Sequence, residues 1–334
     1  TCLYFADNGS RILADEPIET ESDSKLRYLP LGILLAVMPW NFPFWQVFRC
    51  LAPAVMAGNG MVLKHASNVP QCALVIEDIM ARSGLPRGVF TTLLIGSAKV
   101  ADVIRDPRIA AVTLTGSEGA GASVGAAAGA ALKKCVLELG GNDPFIVLPS
   151  ADIDKAVATG VQARVVNNGQ SCVCAKRFIV HRDVYDAFAD KFTGAMETLV
   201  MGDPMEDATQ IGPLATEDGA QTIERQVNES IAGGARALTG GSPNSRNGNF
   251  YTPTVLADVP SDVPAYCEEL FGPVAVLMRA ENFDHAIELA NDTPFGLGSS
   301  VWTHDALEQQ RCMNEIEAGL TFFNAMVASD PRLP

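Results

Sequence analysis

Positive charge, histidine and long apolar runs are all scarce in this sequence, and each shortage removes a class of function. Lysine and arginine total 24 against 39 aspartates and glutamates, a net charge of −15. Such a surface repels phosphate, so nucleic acid is not an expected partner. The longest apolar stretch, Leu31 to Trp40, is broken by Gly32 and Pro39, and no membrane span is expected. The four histidines (65, 181, 285 and 304) fall in no triad setting, which argues against a thiol hydrolase. The eight cysteines are scattered, not framed at short regular spacings, so reduced thiols and no metal site are expected. No internal repeat is visible. No signal-peptide pattern opens the sequence, and the expected compartment is cytoplasmic.

What is present is apolar and orderly. Of 334 residues 48% are apolar, enough for two packed domains. Short apolar runs at Ile33–Met38, Met61–Leu63, Val89–Ile95, Ala110–Thr115 and Cys135–Leu139 read as buried strands. Helical patterns lie between them: Phe44–Ala57, interrupted by Pro53; Pro70–Ser83, stopped by Gly84; Ala98–Arg105; and Gly119–Ala130. This alternation predicts an α/β fold with a parallel, doubly wound sheet. It resumes after Pro144 with strand Phe145–Leu148, helix Asp152–Asn167, strand Arg177–His181 and helix Asp183–Leu199. Beyond the loop-rich stretch Gly240–Asn249 come strand Val274–Met278 and helix Phe283–Asn291. The polar segment Arg11–Pro30 reads equally as a surface hairpin or a flexible leader.

Three settings carry chemistry. Cys172 follows Asn167-Asn168-Gly169-Gln170, a turn that would set the thiol on a bend. Glu138 ends an apolar strand and precedes Gly140-Gly141; a glutamate there is costly to bury unpaired and belongs at a sheet edge. Asn41 sits between Pro39 and Pro43, which stiffen its loop. A nucleophile, a base and an oxyanion donor are the parts of acyl-enzyme chemistry. Each has a plainer reading, as buried thiol, exposed strand-end charge and turn asparagine. The turn Thr115–Gly121 follows a strand and opens a helix, a place for phosphate, but its glycines at 116, 119 and 121 do not follow the G-x-G-x-x-G order. Cys50 and Cys135 read as inert buried thiols.

With these motifs the sequence resembles the aldehyde dehydrogenase family over nearly all its length. The resemblance implies a Rossmann-like parallel-sheet cofactor domain plus an α/β catalytic domain. It assigns 1–30 to a bridging hairpin, 31–140 to part of the NAD(P)-binding domain and 141–334 to part of the catalytic domain. It also implies that family members continue beyond both ends. Cys172 becomes the nucleophile, Glu138 the base for deacylation and Asn41 the oxyanion donor. Met38, Pro39, Trp40, Lys64, Ser67, Gly116, Ser117, Gly121, Leu139, Glu269 and Phe271 become cofactor residues. Lys64 and Glu269 would bond the two riboses, and Ser117 the pyrophosphate. Ser67 stands where many NAD-specific members carry a glutamate, so NAD and NADP both remain open. His65 is expected at the surface.

Arg49, a charge on an apolar helix, needs a partner. A guanidinium grips carboxylate bidentately, and the resemblance makes Arg49 the clamp for a substrate carboxylate. The segments Met38–Gln46, Lys133–Gly141 and Ala175–Phe178 resemble the bacterial succinate-semialdehyde dehydrogenases. That implies oxidation of succinate semialdehyde. A second arginine usual in that subgroup is replaced by Val166, with Arg164 nearest. Cys174 is either a packed thiol or a redox partner for Cys172. The resemblance implies a homodimer or homotetramer. The competing readings are a dehydrogenase for another small aldehyde and a non-catalytic homologue that binds nucleotide or a partner subunit.

Overall fold

The computed structural model describes residues 1–19, 24–242 and 248–333. The chain divides into two compact units. One is Thr1–Leu139 with the last residues from Ser329; the other is Gly140–Ala328.

The first unit opens with α1 (Cys2–Ile12), buried at Gly9 against Met56. Strands β1 (Glu16–Ile18) and β2 (Ser24–Leu26) then pair antiparallel, Pro17 opposite Lys25. Arg27 closes this hairpin with a bidentate pair to Asp15, at 2.8 and 2.6 Å. Arg11 and Ile12 end α1, and for the rest of the Arg11–Pro30 segment the hairpin is the reading observed; residues 20–23 lie outside the described residues. The main sheet comprises β3 (Ile33–Met38), β4 (Gly60–His65), β5 (Phe90–Thr92), β6 (Ile109–Thr115) and β7 (Lys134–Glu138). Its order is β5-β4-β3-β6-β7, with every pairing parallel. Alternation along β3 explains the layers. Ala36 and Met38 face α2 (Trp45–Met56) and α3 (Pro70–Arg82) through Val47, Leu51, Ala73 and Ile76. Leu35 faces α4 (Val100–Arg105) and α5 (Glu118–Ala130) through Val100, Ile104, Val124 and Ala128. Pro53 does not interrupt α2 as expected: the helix continues through it, with Ala57 N–H donating to the Pro53 carbonyl at 2.9 Å.

The second unit contains β8 (Asp143–Val147), α6 (Ile153–Val165), β9 (Ala175–His181), α7 (Arg182–Glu197), α8 (Glu217–Ala232), β10 (Arg236–Thr239), β11 (Thr254–Ala257) and α9 (Pro264–Cys267). It ends with β12 (Val274–Ala280), α10 (Phe283–Asn291), β13 (Gly298–Trp302), α11 (Ala306–Glu315) and β14 (Leu320–Phe323). The sheet order is β10-β11-β12-β9-β8-β13-β14; only the β10–β11 pair is antiparallel. One face packs Phe145, Phe178, Phe188, Phe192 and Trp302 under α6 and α7. Gly160 of α6 leaves room for Phe178, 3.1 Å from where a Cβ would sit.

The two units treat their helix starts differently. In the second, side chains cap α6 (Asp152), α7 (His181), α8 (Thr216), α10 (Asn282) and α11 (Asp305), satisfying amide groups that a helix start leaves unpaired. In the first, α2, α3 and α4 have no side-chain cap bond, and only α5 has one, from Ser117.

Candidate active site

In the first unit the candidate residues gather at the carboxyl ends of the parallel strands. β3 leads to Met38, Pro39, Trp40 and Asn41; β4 ends with Lys64 and His65 before Ser67; β6 ends at Thr115 before Gly116 and Ser117; β7 ends at Glu138. The strand order reverses between β3 and β6, and open α/β sheets receive ligands beyond the carboxyl ends at such a reversal. Ser117 is exposed and accepts from Ala120 N–H at 3.4 Å. Gly116 N–H donates to the Glu138 carbonyl at 3.0 Å, tying the turn to β7. A Cβ at Gly121 would strike Leu139, so that glycine serves close helix–strand packing. Asn41 Oδ1 accepts from Phe42 N–H at 3.1 Å.

Arg49 finds its partner inside this unit. Its guanidinium lies 3.5 Å from Glu138 Oε2 and donates to Thr115 Oγ1 at 3.2 Å. Sequence separation hid this contact. Lys64 is buried, and desolvation lowers its pKa. His65 is not at the surface as expected. Its Nε2 pairs with the Pro43 carbonyl at 2.9 Å, its Nδ1 accepts from Ala66 N–H, and burial holds its pKa below the usual value. The ring thus steadies the Pro39–Pro43 loop from below.

In the second unit the candidates gather at the opposite end of the strands, where they begin. The turn before β9 is tight: Asn167, Asn168 and Gly169 all have positive φ, at 52°, 57° and 75°. Asparagine and glycine are the residues that tolerate this region. A side chain at Gly169 would strike the backbone of Gly272. Asn168 anchors the turn through the Pro213 carbonyl and Gly212 N–H, and Gln170 Oε1 accepts from Ala215 N–H. Cys172 follows, half-buried, and Cys174 is fully buried; both are thiols, not joined as a disulfide. Arg164 is also fully buried, donating to the Gly169 carbonyl at 2.7 Å, which removes it as a second substrate arginine.

Glu269 precedes β12 and is drawn into the same cluster. Its Oε1 accepts from Gly141 N–H at 3.3 Å and lies 3.1 Å from Lys176 Nζ. A Cβ at Gly140 would collide with Glu269, and one at Gly141 would sit 2.6 Å from the Cys172 carbonyl. The glycine pair after Glu138 therefore lets backbone meet both. Phe271 is half-buried in the next turn. Burial pushes the Asp143 carboxyl up to about 7 despite the Lys176 charge. Cys50 and Cys135, expected buried, are both half-buried; desolvation raises both thiols, that of Cys50 to about 12. Lys176 is the functional candidate that the sequence reading missed. A lysine beside an arginine at a strand start looks like surface charge, yet its side chain is fully buried. No group of metal-binding side chains occurs among the described residues.

Comparison with known proteins supplies the context. A succinate-semialdehyde dehydrogenase (NADP+) of Mycolicibacterium paratuberculosis is 57% identical over 334 residues, covering 99% of this chain and 71% of that protein. One from Mycobacterium tuberculosis strain H37Rv is 56% identical, with 73% of its length covered. Among solved structures, a succinic semialdehyde dehydrogenase from Streptococcus pyogenes in complex with NADP+ matches at a TM-score of 0.97 and 38% identity, covering 99% of this chain and 73% of that one. A lactaldehyde dehydrogenase from Escherichia coli matches at 0.95 and 33%, covering 98% and 70%. The family model for aldehyde dehydrogenases matches residues 1–334, and the chain belongs to the aldehyde dehydrogenase family.

Proposed function

We propose that the chain oxidises succinate semialdehyde to the dicarboxylic acid with NADP, through a thioester on Cys172. The observation that carries this reading is the 57% identity to a relative named for that activity and that coenzyme. Ser67 agrees with it: this exposed turn residue after β4 brings no carboxylate to repel a 2′-phosphate. The carboxyl ends of β3, β4 and β6, with the start of α5, suit a dinucleotide. Lys64, Ser67, Gly116 and Ser117 would hold its adenosine and pyrophosphate end, with Met38, Pro39, Trp40, Gly121 and Leu139 lining it. Glu269 and Phe271 would receive its nicotinamide end. When bound, NADP supplies the hydride acceptor.

In this mechanism Cys172 attacks the aldehyde carbon as thiolate, while the Asn41 amide and the Cys172 N–H receive the oxyanion. Loss of hydride from that carbon leaves the thioester. Glu138 takes a proton from water, and the hydroxide cleaves the thioester to free acid and thiol. Arg49 pairs with the distal carboxylate of the substrate in exchange for its contact with Glu138. The partner is thus a small acidic aldehyde. We further assign residues 31–140 to coenzyme binding, 141–334 to catalysis and 1–30 to subunit bridging in a cytoplasmic homodimer or homotetramer. The exposed β1–β2 hairpin, which pairs only with itself among the described residues, supports the bridging role. No helix among the described residues is long and apolar enough to cross a membrane. Reduced-coenzyme absorbance with succinate semialdehyde, NAD and NADP in parallel, tests the reading. Faster turnover with NADP is expected, and no reduction of either coenzyme overturns it.

A further inference from the structure

Two cations open β9. Arg177 is a structural tie, donating to the carbonyls of Asn142, Leu289 and Ala290 at 2.7 to 2.9 Å. Lys176 is different, because its acceptors converge on the turn that carries Cys172. Its ammonium reaches the carbonyls of Ser171 (3.1 Å), Cys172 (2.8 Å) and Cys174 (3.4 Å) as well as Glu269 Oε1. Three N–H donors meet four acceptors, so every donor of the buried ammonium has a partner. The lysine side chain is 0% exposed and that of Glu269 20%. A buried ammonium is tolerated only when paired and hydrogen-bonded, and this one is both.

We infer that Lys176 is a positioning residue that locks the Cys172 turn and the Glu269 carboxylate into one rigid assembly. This rests on the reading of Cys172 as nucleophile and Glu269 as a coenzyme contact. Gly141 completes the assembly from the other side: its N–H donates to Glu269 Oε1, and its bare Cα admits the Cys172 carbonyl. A carboxylate that binds coenzyme and a thiol that binds substrate then share a single anchor. Displacing one displaces the other. The pair also cancels its own charge against the Cys172 backbone. The other charged groups that face it are Asp143 from β8 and Arg164 from α6, with Arg177 alongside.

The test uses the full chain and three variants, Lys176→Met, Glu269→Gln and Lys176→Arg. The pH midpoint of Cys172 alkylation by iodoacetamide is read by peptide mass, and coenzyme KM and kcat are read separately. Asp143, Arg164 and Arg177 are common to every protein compared. Lys176→Met leaves a bare carboxylate under the turn, so the midpoint rises. Glu269→Gln leaves a bare ammonium, so the midpoint falls. Lys176→Arg keeps the cation and holds the midpoint within about half a pH unit of the parent. Lys176→Met also raises the coenzyme KM roughly tenfold or more, the effect of a lost charged hydrogen bond. A merely structural contact would shift both midpoints the same way or neither, and that result overturns the inference. If Lys176→Met does not fold, Lys176→Gln takes its place, with the same rise expected. A Cys172 that is unreactive in the parent chain instead sinks the underlying reading of the nucleophile.

Discussion

The Asp143 carboxyl accepts one hydrogen bond, from Gly298 N–H at 3.2 Å, and its other oxygen has no hydrogen-bond partner among the described residues. The unfolded chain releases this proton near 3.8, and the folded chain holds it to about 7. Folding therefore takes up a proton between those values, and stability falls as pH rises through that window. Asp143→Asn removes this penalty. Thermal melts should show the variant gaining on the parent between about pH 4 and pH 7, by a few kcal/mol at most. An unchanged gap across that range would contradict the buried charge. The Arg49–Glu138 pair makes a second residue-level prediction. Arg49→Leu should raise KM for succinate semialdehyde by about a hundredfold, as loss of a charged contact does, and change a neutral aldehyde far less. Glu138→Gln should keep a burst of reduced coenzyme but slow the steady state, seen by stopped flow. The local motifs around these residues were readable because adjacent residues define them. Their partners were not, since Arg49 meets Glu138, and Lys176 meets Glu269, only through tertiary folding.

At the scale of elements, the capping difference gives a clean separation of stability from activity. Asn282 accepts from His285 N–H at 2.9 Å at the start of α10, where β12 ends. Asn282→Ala should cost about 1 kcal/mol in denaturant unfolding and leave KM unchanged. From residue 31 on, the strands and helices of the first unit were legible because β3, β4 and β6 are short apolar runs with buried faces, whereas α1 stood unforeseen in the segment read as a hairpin. The later elements were less so. α11 buries only Cys312, and β13 carries Ser299 and Ser300, buried serines whose hydroxyls bond to Leu320 and Ala325 carbonyls. A strand of buried serines has no apolar signature. α8 hides Gln226 and Ser230 in its inner face, which blurs its period. His65 was misread for a related reason: a polar ring counts as surface until its hydrogen-bond partners are known.

For the whole molecule, coenzyme binding should register as stability. A ligand held only by the folded state at about a hundred times its Kd adds about 2.7 kcal/mol. Melts with NADP should therefore rise more than melts with equal NAD, and equal shifts would remove the Ser67 argument. The direction of the strands carries a last consequence. In Gly140–Ala328 every candidate residue lies where a strand starts, while the turns leaving β8, β9, β12 and β13 are closed by Asp152, His181, Asn282 and Asp305. Those exits can therefore drift in length and composition without touching reactivity. Within this unit, a change of reactivity would have to pass through the entrances instead.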